Sequence, residues 1–90
     1  MNPIPEVLDR NGNKVHIGSM VKVLSIPEWL LKNQSEEDAH RLNKMVGQVF
    51  EIYEIDEYGG AWVQMWFEGT NSEKISHSLS LDREEMELSE

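Results

Sequence analysis

The stretch from Gly47 to Phe67, GQVFEIYEIDEYGGAWVQMWF, constrains this chain more than any other. Val, Ile, Tyr, Phe and Trp crowd both of its arms, and such side chains suit a pleated, half-buried surface. Between the arms, Gly59-Gly60 can take the positive φ that a tight hairpin turn needs. The sequence therefore predicts one β-hairpin: a strand near residues 48–55, a turn at 56–60 and a strand near 61–67. In the second arm, Ala61, Val63, Met65 and Phe67 alternate with Trp62, Gln64 and Trp66, so the two sets lie on opposite faces. In the first arm, Val49 and Ile52 break the alternation. A bulge near Phe50–Glu51, or a buried residue on each face, is expected there.

A chain of 90 residues makes one small domain with a limited core. It has no room for a cofactor-binding unit beside a substrate unit, and no cofactor is expected. The net charge is −9, from 17 acidic and 8 basic residues. Affinity for a phosphate backbone comes from Lys and Arg releasing counterions, so nucleic acid is not an expected partner. The acids gather at Glu51, Glu54, Asp56 and Glu57, at Glu36–Asp38, and at Glu84, Glu85, Glu87 and Glu90. They serve solubility, steer a basic partner, or mimic nucleic acid. Cysteine is absent, which removes disulfides and thiolate metal sites. No signal-like segment or membrane span is seen, so the cytoplasm is the expected compartment.

Along the chain, residues 1–6, with Pro3 and Pro5, read as a loose arm. Asn11-Gly12 is a strong hairpin signal, followed by a strand at 14–17. After Gly18-Ser19 a second strand runs from Met20 to Leu24, with Val21 and Val23 on one face and Lys22 on the other. Residues 27–45 read as a helical insertion. Pro27 opens a short turn carrying Trp29, Leu30 and Leu31, which plugs one mouth of a barrel or forms a hydrophobic contact surface. Ser35 caps a helix to about Lys44, whose apolar stripe is Ala39, Leu42 and Met45. A polar loop at 68–73 precedes a strand with Ile75, His77, Leu79 and Leu81 alternating with serines. A single turn at 82–85 and a last strand at 86–88 complete the chain.

Three segments carry a family resemblance: Ile17-Gly18-Ser19-Met20-Val21-Lys22-Val23, Met45-Val46-Gly47-Gln48-Val49, and His77–Leu81 followed by Met86-Glu87-Leu88. Over about residues 14–88 the chain resembles an SH3-like barrel. In such barrels an I-G-D-x-V-x-V strand opens the sheet, a G-x-V follows a long variable loop, and a one-turn 3₁₀ helix precedes the final strand. The chain is also similar to small bacterial proteins of unknown function that combine this barrel with a helical insert. The resemblance implies a mainly β fold, a barrel or roll of about five strands with the helices between strands two and three. Ser19 stands where an acid is common. The aromatic-and-acid loop of proline-binding SH3 domains is missing, so a Pro-x-x-Pro ligand is not implied. Basic barrels of translation and transcription are no guide to an acidic chain.

Chemistry is sparse. His16, His40 and His77 have no metal-ligand spacing, although His16 and His77 could meet across adjacent strands. The carboxylates at the hairpin are solvated rather than held in a cleft that separates their pKa values. Ser76, Ser78 and Ser80 flank His77 but point to the opposite face, so they form no dyad with it. Gly59-Gly60 is not a phosphate loop. No catalytic residue and no metal site is assigned. The best candidate is aromatic: Trp62 and Trp66, about 13 Å apart along one strand, with Gln64 between them and Tyr53 able to pair with one across the hairpin. They are either an exposed protein-binding face or are covered by the helix at 35–45 or the Trp29 turn. The expected role is a non-enzymatic, monomeric protein-binding module. The alternatives are an acidic, immunity-type protein blocking a basic site, and a small accessory subunit of a larger enzyme.

Overall fold

In the computed structural model of the chain, which describes residues 6–69 and 73–89, the first turn is where Asn11-Gly12 predicts it. Gly12 takes φ +82°, and β1 (Val7–Leu8) pairs antiparallel with β2 (Lys14–Val15), Val7 opposite Val15. The expected strand at 14–17 stops at Val15. The His16 N–H donates to Ser19 Oγ at 3.0 Å, and Gly18 at φ +97° bends the chain away. Strand β3 (Met20–Val23) buries Val21 and Val23 completely and exposes Lys22, as the alternation predicts. The expected arm at 1–6 falls outside the described residues up to position 5, as do residues 70–72 of the expected polar loop at 68–73.

The insertion forms two helices between β3 and the next strand. Helix α1 (Glu28–Lys32) starts one residue later than expected, with Pro27 as its N-cap rather than its first helical residue. None of its residues is buried. Leu30 and Leu31 pack half-buried on the core, while Trp29 stays 67% exposed. The turn is therefore not a plug. Five residues cannot turn three consecutive apolar side chains to one side, because neighbours on a helix lie about 100° apart. Helix α2 (Glu36–Asn43) is capped by Ser35, whose Oγ accepts from the Asp38 N–H at 3.2 Å. Its stripe seats Leu42 and, one turn beyond, Met45 in the core.

The predicted hairpin is split. Its first arm is two strands: β4 (Val49–Glu51) pairs with β3, whereas β5 (Glu54–Ile55) pairs with β6 (Ala61–Glu68). The expected irregularity lies at Ile52–Tyr53, two residues beyond Phe50. There the Ile52 N–H donates to Ser19 O at 2.9 Å, and the Tyr53 N–H to Trp62 O at 3.0 Å. The chain thus leaves one sheet and enters another within two residues, with the Ile52 side chain fully buried at the corner. Strand β7 (Lys74–Leu81) pairs with β6 along its full length, Ala61 opposite Leu81 and Glu68 opposite Lys74. A 3₁₀ turn at Arg83–Glu85 leads into β8 (Met86–Leu88), which pairs with β3.

The fold is mainly β, but the expected single barrel of about five strands is not what forms. Among the described residues there are eight short strands in three sheets, ordered β1-β2, β4-β3-β8 and β5-β6-β7, and none closes into a barrel. One core joins them: Val7, Val15, Val21, Ile52, Val63, Leu79, Leu81 and Met86 from the strands meet Leu42 and Met45 from the insertion. Among the described residues no helix is long and apolar enough to cross a membrane.

A buried carboxylate fastens the chain ends to this core. Asp9 is wholly buried, and its side chain accepts from the N–H groups of Asn11 (2.9 Å), Asn13 (2.8 Å) and Leu88 (2.7 Å), and from Asn13 Nδ2 (3.3 Å). Arg83 Nε adds a bond to the Asp9 carbonyl at 3.1 Å. Burial alone would push the Asp9 carboxyl up, but the Leu88, Asn13 and Asn11 donors together hold it below its ordinary value. Its stabilising contribution is therefore present above the unfolded-state value of about 3.9 and is lost as pH falls through the lower folded value. Asp9→Ala should cost about 3 kcal/mol in urea denaturation at neutral pH, since it strands several buried donors. Asp9→Asn should lose the part of the acid-limb stability that wild type sheds below about pH 4. Equal stability of wild type and Asp9→Ala would remove this clamp.

Candidate functional site

Strand β6 displays the aromatic face, and its alternation is as the sequence predicts. Ala61 and Val63 are fully buried, with Met65 and Phe67 half-buried against the core. On the opposite face Trp62 and Gln64 are half-buried and Trp66 is 59% exposed. Strand β7 supplies the partners: Ser80 lies opposite Trp62, Ser78 opposite Gln64 and Ser76 opposite Trp66. A row of small hydroxyl side chains thus runs beside the row Trp-Gln-Trp and does not overhang it.

Trp62 is held, not loose. Its indole N–H donates to Asp56 Oδ2 at 2.9 Å. The other Asp56 oxygen accepts from the Tyr58 N–H (2.9 Å) and the Gly60 N–H (2.8 Å), closing the hairpin turn through Gly59 at φ +83°. A Cβ on Gly60 would run into Ser80 Oγ and the Asp56 carboxylate, so glycine is needed there for close approach rather than for positive φ. The Gly60 N–H and the Trp62 indole, with the Tyr58 N–H, hold the Asp56 carboxyl below its ordinary value against the opposing effect of burial. Asp56 therefore does not belong with Glu51, Glu54 and Glu57 as a free surface acid. Those three are exposed. The missed signal was local: an aspartate opening a turn that ends in Gly-Gly caps its own backbone.

The expected pairing of Tyr53 with a tryptophan is not the observed register. Glu54 stands opposite Trp62 on β5, and Tyr53, 44% exposed, lies at the corner between sheets. The aromatic neighbour comes instead from the insertion. Trp29 and Leu30 of α1 face Trp62 across a groove of about 260 Å³, whose other walls include Ser78, Asp82 and Glu85. Trp62 is thus bordered, though not sealed, by the Trp29 turn. Trp66 stands away from it, beside Glu68 and Lys74. Glu85 is buried, and its Oε1 accepts from the Asp82 N–H at 2.8 Å. Burial pushes the Glu85 carboxyl up; the Asp82 charge adds to this and the Asp82 N–H opposes it.

The histidines do not converge. His16 follows β2 outside any strand, and His77 lies on β7, which belongs to a different sheet from β2. His77 Nε2 is 3.3 Å from Asp38 Oδ1, while Arg41 Nη1 donates to the same oxygen at 3.0 Å. The His77 contact has the distance of an ion pair but not hydrogen-bond geometry, and its Nε2 is buried without a hydrogen-bond partner. The ring also meets Phe67 edge-on at 5.7 Å. This places α2 against the inner face of β7 at its middle. Among the described residues no three His, Asp or Glu side chains are placed to hold a metal ion. Comparison with protein families, curated proteins and solved structures found no match to this chain.

The groove bordered by the Trp29 and Trp62 indoles has room for a side chain of apolar or cationic character. Asp56→Ala should release Trp62. Its indole N–H should exchange with solvent faster and shift in the proton–nitrogen spectrum, with the core amides unchanged. In wild type the same resonance should titrate with its midpoint below about 4, because the Asp56 carboxyl titrates below its ordinary value. Movement centred above that pH would break the assignment.

Proposed function

We propose that this chain is a non-enzymatic binding module that receives a protein partner on the outer face of β6 and the adjoining α1. The observation that carries the reading is exposure of the most costly side chains: Trp66 is 59% exposed and Trp29 67% exposed in a protein with three tryptophans. Trp is enriched where binding energy concentrates, and an indole left in water gives up the gain of burial unless a partner supplies it. Trp62 and Gln64 extend the face, and Tyr53 borders it. Glu51, Glu54 and Glu57 give it an acidic flank, so a basic protein surface is the fitting partner and nucleic acid is not. The strand order, the corner at Ile52 and the 3₁₀ turn before the last strand support reading the fold as an SH3-like arrangement in an opened form.

The net charge of −9 favours a second reading, an acidic protein that blocks a basic site. The two differ in salt response, since exposed charges are screened beyond about 8 Å at physiological ionic strength while buried apolar contacts are not. The test is capture from lysate of the source cells by wild type and by a folded Trp29→Ala/Trp66→Ala variant. A partner held by wild type through a high-salt wash and lost by the variant is the expected result. A partner kept by the variant but released by salt would transfer the role to the acidic surface.

A further inference from the structure

Of the cavities among the described residues, the groove between α1 and the β6–β7 sheet has the most definite chemistry. Two indoles, Trp29 and Trp62, border it, and Ser78 and Ser80 of β7 line its floor. The charged side chains lining it, Asp82 and Glu85, are both acidic, with no lysine or arginine among its walls. At about 260 Å³ it falls below the roughly 300–1,000 Å³ typical of sites for whole small molecules, so it suits one long side chain. The Trp62 ring is oriented in advance by its bond to Asp56, which lowers the ordering cost of binding.

We infer that this groove takes a single arginine side chain from the basic partner, the guanidinium lying between the two indoles with its donors toward Asp82, Glu85 and the serine hydroxyls. The inference rests on the reading of the chain as a binding module and names the ligand chemistry of that site. Indole faces attract cations, and a guanidinium combines a planar apolar surface with five N–H donors. A lysine ammonium offers the charge but neither the plane nor the fork. The groove also supplies what a cation would stabilise: the Glu85 carboxyl, pushed up by burial, gains a compensating charge when the site fills.

The test is a titration of the isotope-labelled full chain with a capped pentapeptide, Gly-Ser-Arg-Ser-Gly, against the same peptide carrying neutral, isosteric citrulline. The indole N–H signals of Trp29 and Trp62 should shift together, with a dissociation constant on the order of 1 mM for so small a probe. The citrulline peptide should bind at least about tenfold more weakly, a difference of about 1.4 kcal/mol. Trp29→Ala, at an exposed position, and Asp82→Asn should each weaken the arginine peptide by about threefold or more. Equal shifts with citrulline, shifts spread over Glu51 and Glu57 amides without the two indoles, or no shift at concentrations of about 20 mM would each overturn the assignment. Failure here is distinguishable from failure of the binding-module reading. A partner captured through Trp66 and retained by Trp29→Ala would keep the module and sink the groove.

Discussion

Sheets of two and three short strands are marginal in water without a shared hydrophobic face, and the corner the chain turns at Ile52 joins the two larger ones. On one side of that residue the backbone bonds to Ser19 beside β3; on the other, Tyr53 bonds to Trp62 on β6. The side chain between those bonds is completely buried. One residue therefore links two sheets by backbone and fills the space between them by packing. The corner also sets the orientation of β6. Ala61 and Val63 are turned inward against the shared core, which leaves Trp62, Gln64 and Trp66 outside.

The Asp9 carboxylate does the complementary work at the ends of the chain. It connects the first turn to Leu88, nearly the whole sequence away, and so ties β1-β2 to the sheet containing β8. An uncompensated charge at such depth would be strongly unfavourable, but four donors surround it. Asp56 repeats the device at the hairpin, with an outward use: its third donor is the indole of Trp62. Two aspartates that contribute to the net negative charge are therefore also fasteners, whereas Glu51, Glu54 and Glu57 are exposed on the surface.

The functional reading follows from what these fasteners leave uncovered. Helix α1 is too short to bury its own tryptophan, and α2 is committed to the inner face through Leu42, Met45 and the Asp38–His77 contact. Neither helix closes over the outer face of β6. The aromatic side chains remain beside a row of serines too small to shield them. A fixed Trp62, an exposed Trp29 and two carboxylates bound a space of about one side chain. Such a combination underlies the proposed role in recognition.

What the sequence determined by itself is local. Asn11-Gly12 and Gly59-Gly60 specify turns through backbone freedom, Ser35 specifies a helix start through its hydroxyl, and strict alternation in 61–67 and 75–81 specifies which side chains share a face. Each of these depends on neighbours within a few residues. What only the tertiary structure decided is how the pieces associate. That residues 48–55 divide between two sheets depends on Ser19, distant in sequence, taking the Ile52 N–H while Trp62 of the hairpin takes the next one, from Tyr53. Whether Trp29 is a plug or a surface depends on where α1 lands, and Asp9 reveals its partner only when residue 88 arrives beside it. Propensity and periodicity describe a strand's two faces, but they carry no information on which other element, tens of residues away, will cover either one.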